Sequence, residues 1–407
     1  MQADSQTQTE APQPETGTGG TSGLEILAVS AKLGLTSFGG PIAHLGYFHN
    51  EYIRRRRWLD ERTYADLVAL CQFLPGPASS QVGIGIGMLR GGVRGGLLAW
   101  LGFTLPSAVL MILFAYVLQS FDIAQAGAVH GLKIVAVAIV AQAVLGMGRK
   151  LAPDRTRATI AVAVCAGSLL WHAAVGQLAL LAAAGATGLL LYRRVASPAL
   201  PALRVPVGRG FGAVCLALFF ALLLGLPLLR SFGGPAWLAL ADSFYRTGAL
   251  IFGGGHVMLP LLEREFVPSG LVSQADFLAG YGAAQALPGP LSTFAGYLGA
   301  MMSGWSGGLL AIAAIFLPAY LLVAGTLPFW NGLRANAGVQ GALTGINAAV
   351  VGILLAALYD PLWTTAILAP ADCAVAVLLF VMLEFWKLPP WTVVLAGLLC
   401  GTAAAWL

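Results

Sequence analysis

Pro75, Gly76 and Pro77 form a Pro-Gly-Pro triplet that recurs at Pro288, Gly289 and Pro290. Hydroxyl residues follow each triplet, Ser79 and Ser80 after the first and Ser292 and Thr293 after the second; a glutamine precedes each, Gln72 and Gln285. A second kind of break, Phe38, Gly39 and Gly40, is answered by Phe252, Gly253, Gly254, Gly255 and His256. Proline removes a helical donor and glycine lowers helix propensity, so each motif should interrupt a helix. The helix that restarts beyond a break offers unpaired N–H groups and the positive end of its dipole, which together hold anions. Neutral hydroxyls and amides beside it would hold an oxyanion without trapping it. The competing reading gives the hydroxyls to helix capping and the glycines to close packing.

His44 and His256 follow the Phe-Gly-Gly breaks and belong to the residue type that titrates near neutral pH, although His256 aligns with Ile42 rather than with His44. Lys133, in an apolar stretch near residues 125–148, and Asn347, at the equivalent depth in the second half, are candidates for a counter-charge or coupling role. Snorkelling is the plainer role for Lys133. Glu51 and Glu265 also match; their neighbours Arg54 and Arg264 predict ion pairs at a membrane interface. There is no nucleophile motif, no paired carboxylates in an apolar setting and no Walker sequence, so neither enzyme activity nor a cofactor is expected. The five cysteines show no CxxC or Cys/His spacing, which supports neither a disulfide framework nor a metal site.

The elements that position these residues must lie in a bilayer. The chain is 58% hydrophobic and only 10% charged, too apolar to coat itself for water. Stretches long enough to span a membrane recur along it. Its formal charge of +5 comes from Lys and Arg in short loops, which read as topology signals rather than a nucleic-acid surface. Residues 1–22 are polar, lack the basic start and apolar core of a signal peptide, and read as a disordered tail.

Phe38 and Phe252 lie 214 residues apart, and Pro75 and Pro288 lie 213 apart. Further pairs follow in order: Glu51 with Glu265, the helix starts Asp60 and Ser273, Pro106 with Pro318, and Gly131 with Gly341. This predicts an all-α polytopic membrane protein of two repeats, 23–195 and 236–407. A linker, 196–235, carries an extra transmembrane helix near residues 210–229 that would invert the second repeat. A piece of about 13 residues rises only ~20 Å against a ~30 Å hydrocarbon core. Re-entrant hairpins would also place all four first-half arginine clusters on one side, and are favoured over ordinary kinked spans.

The segments FGGPIAHLGYF, FLPGP, FGGGHVMLPLLEREFV and ALPGP resemble those of the bacterial chromate ion transporter family, in its long form with two antiparallel domains. The resemblance covers the chain apart from the N-terminal tail. It implies a multi-pass inner-membrane protein that exports chromate and confers resistance, with sulfate as the competing dianion. The partners it implies are a chromate- or sulfate-like oxyanion and the lipid bilayer, with a homodimer as an open assembly. A sulfate carrier, an anion channel and a membrane scaffold are the rival readings. By position, the family's signature segments fall on Phe38 to Pro41, Pro75 to Pro77, Phe252 to His256 and Pro288 to Pro290.

Overall fold

A computed structural model describes residues 22–38, 40–120, 127–171, 174–192, 205–251, 257–333 and 336–404. Helix α1 (Gly23–Thr36) and helix α2 (Gly40–Phe48), the latter prolonged by a π-helical turn over His49–Arg55, flank the first Phe-Gly-Gly break. They fold back on one another: Glu25 meets Arg56 at 2.7 Å, Ser30 meets Tyr52 at 3.2 Å and Lys32 meets Glu51 at 2.9 Å.

Helices α3 (Glu61–Phe73) and α4 (Ala78–Ser120) flank the first Pro-Gly-Pro. Asp60 caps α3 by accepting the Thr63 N–H. A Cβ on Gly85 would lie 2.6 Å from Leu67 Cδ1, although 18 residues of chain separate the two positions. Arg90 donates to the Trp58 carbonyl at 3.4 Å, so the 78–90 limb returns to the level from which α3 set out. Within α4 the chain then reverses at Gly91 and at Gly92, whose φ is 62°. A Cβ on Gly87 would lie 2.7 Å from Ala99 Cβ, where a straight helix would hold them roughly 18 Å apart. The long crossing limb is therefore 93–120.

Helices α5 (Gly127–Leu151), α6 (Arg155–Leu170) and α7 (Ala174–Tyr192) complete the first half, and α8 (Arg209–Ser231) is the linking helix. The second half repeats the plan. The limbs α9 (Ala236–Leu250) and α10 (Met258–Phe266) fold together, with the Phe244 and Phe266 rings 5.0 Å apart. Helix α11 (Gln274–Ala286), capped by Ser273, folds against the start of α12 (Phe294–Thr326), where Tyr297 Oη donates to the Asp276 carbonyl at 2.8 Å. Helix α12 reverses at Gly304, whose φ is 63°, the counterpart of Gly92. A short turn α13 (Trp330–Leu333) precedes α14 (Ala337–Ala357); α15 (Thr364–Ala366), α16 (Pro370–Glu384) and α17 (Pro390–Ala404) follow. The limbs beside all four breaks fold back as hairpins instead of running on as kinked spans.

The two long limbs cross side by side. Tyr320 Oη donates to the Val93 carbonyl, Trp100 packs on Phe316, the Trp305 N–H donates to Tyr116 Oη, and Gln119 reaches the Met301 carbonyl. As one number rises the other falls, so these equivalent limbs run antiparallel. The remaining helices interlock: α6 and α7 pack on α14 of the second half, while α16 and α17 pack on α5 of the first. Small residues permit it, as where a Cβ on Gly188 would come within 2.6 Å of the Gly345 nitrogen. Helix α8 covers α12 and α9. Five segments among the described residues are long and apolar enough to cross a membrane: Ala78–Ser120, His130–Leu151, Arg209–Ser231, Leu291–Leu333 and Ala337–Ala366.

Candidate functional site

The breaks of one half meet those of the other. The Gly76 N–H donates to the Ile251 carbonyl at 2.5 Å, and the Gly289 N–H donates to the Ser37 carbonyl at 2.9 Å. Ser37 and Ile251 each stand immediately before a Phe-Gly-Gly break, so the repeat relates the two bonds. Each turn needs glycine, because φ is 127° at Gly76 and 95° at Gly289, in the left-handed region. These two amides join the halves and are not available to an anion. The amides left over belong to the first helical turns. Ala78, Ser79 and Ser80 precede the bond from the Gln81 N–H to the Pro77 carbonyl, and Leu291 and Ser292 precede that from Thr293 to Pro290.

Side chains complete the surroundings. His44 Nδ1 and Ser79 Oγ lie 3.2 Å apart, which ties the first hairpin to the second. Gln81 Nε2 donates to the Pro75 carbonyl at 2.7 Å, and Thr293 Oγ1 to the Pro290 carbonyl at 2.9 Å. Ser37 Oγ, His44 Nε2, Ser80 Oγ, Gln81 Oε1, Trp100 Nε1, Thr104 Oγ1 and Ser292 Oγ are buried polar atoms without a hydrogen-bond partner among the described residues. Buried polar groups are normally paired, so these atoms are candidates for contact with water or a polar ligand. Pro77 and Pro290 are buried, while Phe38, Gly40, Pro75, Gln285 and Pro288 are half-buried and Gln72 is exposed. Gly39, Gly253, Gly254, Gly255 and His256 lie outside the described residues.

The two halves contribute unequally. Ser37, His44, Gln81, Thr104 and Ser107 of the first half correspond to Ile251, Met258, Phe294, Phe316 and Ala319 of the second. All five of those counterparts are buried apolar residues. Sequence reasoning passed over Ser37, Thr104 and Ser107. The available signal was position: Ser37 abuts the first glycine break, and Thr104 and Ser107 flank the repeated Pro106.

Lys133 on α5 and Asn347 on α14 are half-buried, and neither makes a hydrogen bond or ion pair with the break residues among those described. The expected partners of Glu51 and Glu265 are corrected. Glu51 pairs with Lys32, Arg55 and Arg56, at 2.9, 3.3 and 3.0 Å, and not with Arg54. The π-helical turn sets residues four and five positions on, rather than three, beside the carboxylate. Glu265 pairs with Arg230 and Arg246, at 2.8 and 3.4 Å, whereas Arg264 projects from another side of α10 toward the Ser168 carbonyl. Lys32 and Arg246 stand 214 residues apart, so each first hairpin is clasped by a base and a glutamate at equivalent positions.

A family model described as chromate transporter matches residues 24–189 and 238–402, most of both halves. A chromate transport protein of Pseudomonas aeruginosa is 30% identical over 353 residues, which cover 85% of this chain and 83% of that protein. A chromate transport protein of Cupriavidus metallidurans is 26% identical over 386 residues, covering 93% and 92%. A probable chromate transport protein of Synechococcus elongatus is 26% identical over 344 residues, covering 80% and 81%. No solved structure matches the chain.

Proposed function

From the premise that the chain belongs to the chromate transporter family, we propose that it is a secondary transporter that carries chromate out of the cell across the inner membrane and so confers resistance. Sulfate, alike in charge and shape, is the competing substrate. The observation that carries this reading is the set of buried hydroxyl, indole and imidazole atoms without a partner among the described residues, beside the bonds by which Gly76 and Gly289 join the two halves. The anion would sit against the first-turn amides after Pro77 and Pro290, with Ser80 and Ser292 donating from either side. Because its other polar groups come from one half, the site would lie off the pseudo-two-fold axis, toward Ser37, His44 and Thr104.

Tetrahedral anions would enter from alternate sides if the halves are inverted in the bilayer, and the antiparallel run of the two long limbs supports that arrangement. Hairpins that reached only partway across would let rocking of one half against the other expose the same crossing to each side in turn.

The test is counterflow in proteoliposomes: a carrier concentrates labelled chromate against unlabelled chromate, and a channel does not. Absence of counterflow would overturn the reading. In the same assay Thr104→Val should raise the half-saturating chromate concentration about tenfold or more, since a buried hydrogen bond to a charged group contributes ~1.5–3 kcal/mol. An unaltered concentration would remove Thr104 from the site. Export is checked separately, by lowered chromate accumulation in cells that make the protein relative to an empty control.

A further inference from the structure

Glu263 lies on α10, outside the crossing, and is 5% exposed. Its Oε1 accepts a hydrogen bond from Gln274 Nε2 at 2.7 Å, whereas Oε2 is buried without a partner among the described residues. The charged groups that face it are Arg264, whose guanidinium also reaches the Ser168 carbonyl on α6, and Asp360 in the turn after α14. They are of opposite sign. The acidic and basic residues of α9, Asp242 and Arg246, are instead engaged with each other, with Arg230 and with Glu265. An ionised carboxylate at position 263 would thus keep one neutral donor and little water, an unfavourable state for a buried charge.

The repeat sharpens the point. Glu263 corresponds to His49 and Gln274 to Glu61. His49 Nε2 and Glu61 Oε2 lie 2.6 Å apart. Each half therefore ties its first hairpin to its second through one polar pair at the same place. In the first half an acid faces an imidazole and is largely exposed; in the second the acid is buried and takes its hydrogen bond from an amide.

We propose that Glu263 is a proton-binding site, and that its loading and release couple oxyanion transport to proton movement. This rests on the transport reading above. With the two hairpins of the second half held together, the carboxyl is enclosed and favours the proton. When they part, water reaches both oxygens and favours release. A proton bound more tightly in one state than in the other shifts the balance between them, as any ligand does. A pH gradient can then drive the anion through this one residue.

The experiment uses the full chain in liposomes with an entrapped pH-sensitive dye, and records both chromate counterflow and chromate accumulation under an imposed pH gradient. The wild type should accumulate chromate under the gradient and change the interior pH as it does so. E263Q should lose gradient-driven accumulation at least tenfold more than it loses counterflow. Q274L keeps the acid but removes its donor, and should move the midpoint of the pH dependence upward, because ionisation becomes harder. Wild-type counterflow without a response to the gradient would overturn the proposal, and so would E263Q that still accumulates like the wild type. If E263Q does not reach the membrane, Q274L decides: an unshifted pH profile overturns the proposal. Failure of wild-type counterflow would instead remove the transport reading.

Discussion

Alanine at position 289 is expected to lower chromate flux per folded molecule by more than tenfold, and alanine at position 76 to lower it less. Both substitutions place a side chain on a left-handed residue, at φ 95° and 127°, a strain of about 1–3 kcal/mol. Their surroundings differ. At Gly289 a Cβ would lie 2.6 Å from Ser107 Oγ, which can rotate, but also 3.1 Å from Ser107 Cβ and 3.2 Å from the Gly34 carbonyl oxygen, neither of which moves without displacing a helix. Overpacking of that kind costs a further ~1–3 kcal/mol. At Gly76 the two closest atoms belong to Gln81, Nε2 at 2.6 Å, a flexible side chain that can turn away at the expense of its bond to Pro75, and the one fixed neighbour, Ala319 Cβ, stands off at 3.3 Å. Gly289→Ala would also bend or break the bond to the Ser37 carbonyl that joins the halves. Flux in proteoliposomes and thermal unfolding in detergent, read together, separate transport from stability. Wild-type flux in Gly289→Ala would remove this junction from the mechanism.

The same junction shows what a linear reading reaches. Proline and glycine act locally, so the positions of the breaks followed from residue type, and the near-constant offset between Phe38 and Phe252 and between Pro75 and Pro288 exposed the duplication. The arginine clusters favoured hairpins for a physical reason, since only a returning limb keeps Arg56 and Arg90 at one end. What escaped depended on contacts between distant segments. The acceptors of the Gly76 and Gly289 amides, the carbonyls of Ile251 and Ser37, belong to the opposite half. The docking of α6 and α7 on α14, and of α16 and α17 on α5, follows from small residues facing each other across the interface, and hydropathy does not record facing. The unequal polarity of the halves was present in pairs such as His44 with Met258 and Thr104 with Phe316. It acquired meaning only when the fold brought residues 37, 44, 80 and 104 toward one crossing. The π-helical turn changed which arginines reach Glu51, a register shift that helical spacing alone misassigns.

Asp242→Asn is expected to produce the largest loss of stability among single replacements of charged residues. Asp242 is fully buried and forms a two-pronged pair with Arg246, each contact 2.9 Å long, while Arg230 of the linking helix approaches at 3.3 Å. Its counterpart in the first half is Ala28, so this acid is an addition peculiar to the second hairpin. Removing one partner of a buried ion pair leaves the other charge uncompensated, at a cost of about 3–5 kcal/mol. Arg246 retains Glu265 at 3.4 Å and its side chain is 27% exposed, which places the expected loss near the lower end, about 3 kcal/mol. The Arg230 side chain is 44% exposed, so Arg230→Gln should cost only about 1 kcal/mol, as screened pairs do. The replacements share partners and should be non-additive, so the double variant should lose less than the two single losses combined. Thermal unfolding of the three variants in detergent measures this coupling. If Asp242→Asn unfolds with the wild type, Asp242 does not hold α8 to the second hairpin, and the linking helix is fixed by its other contacts with α9 and α12.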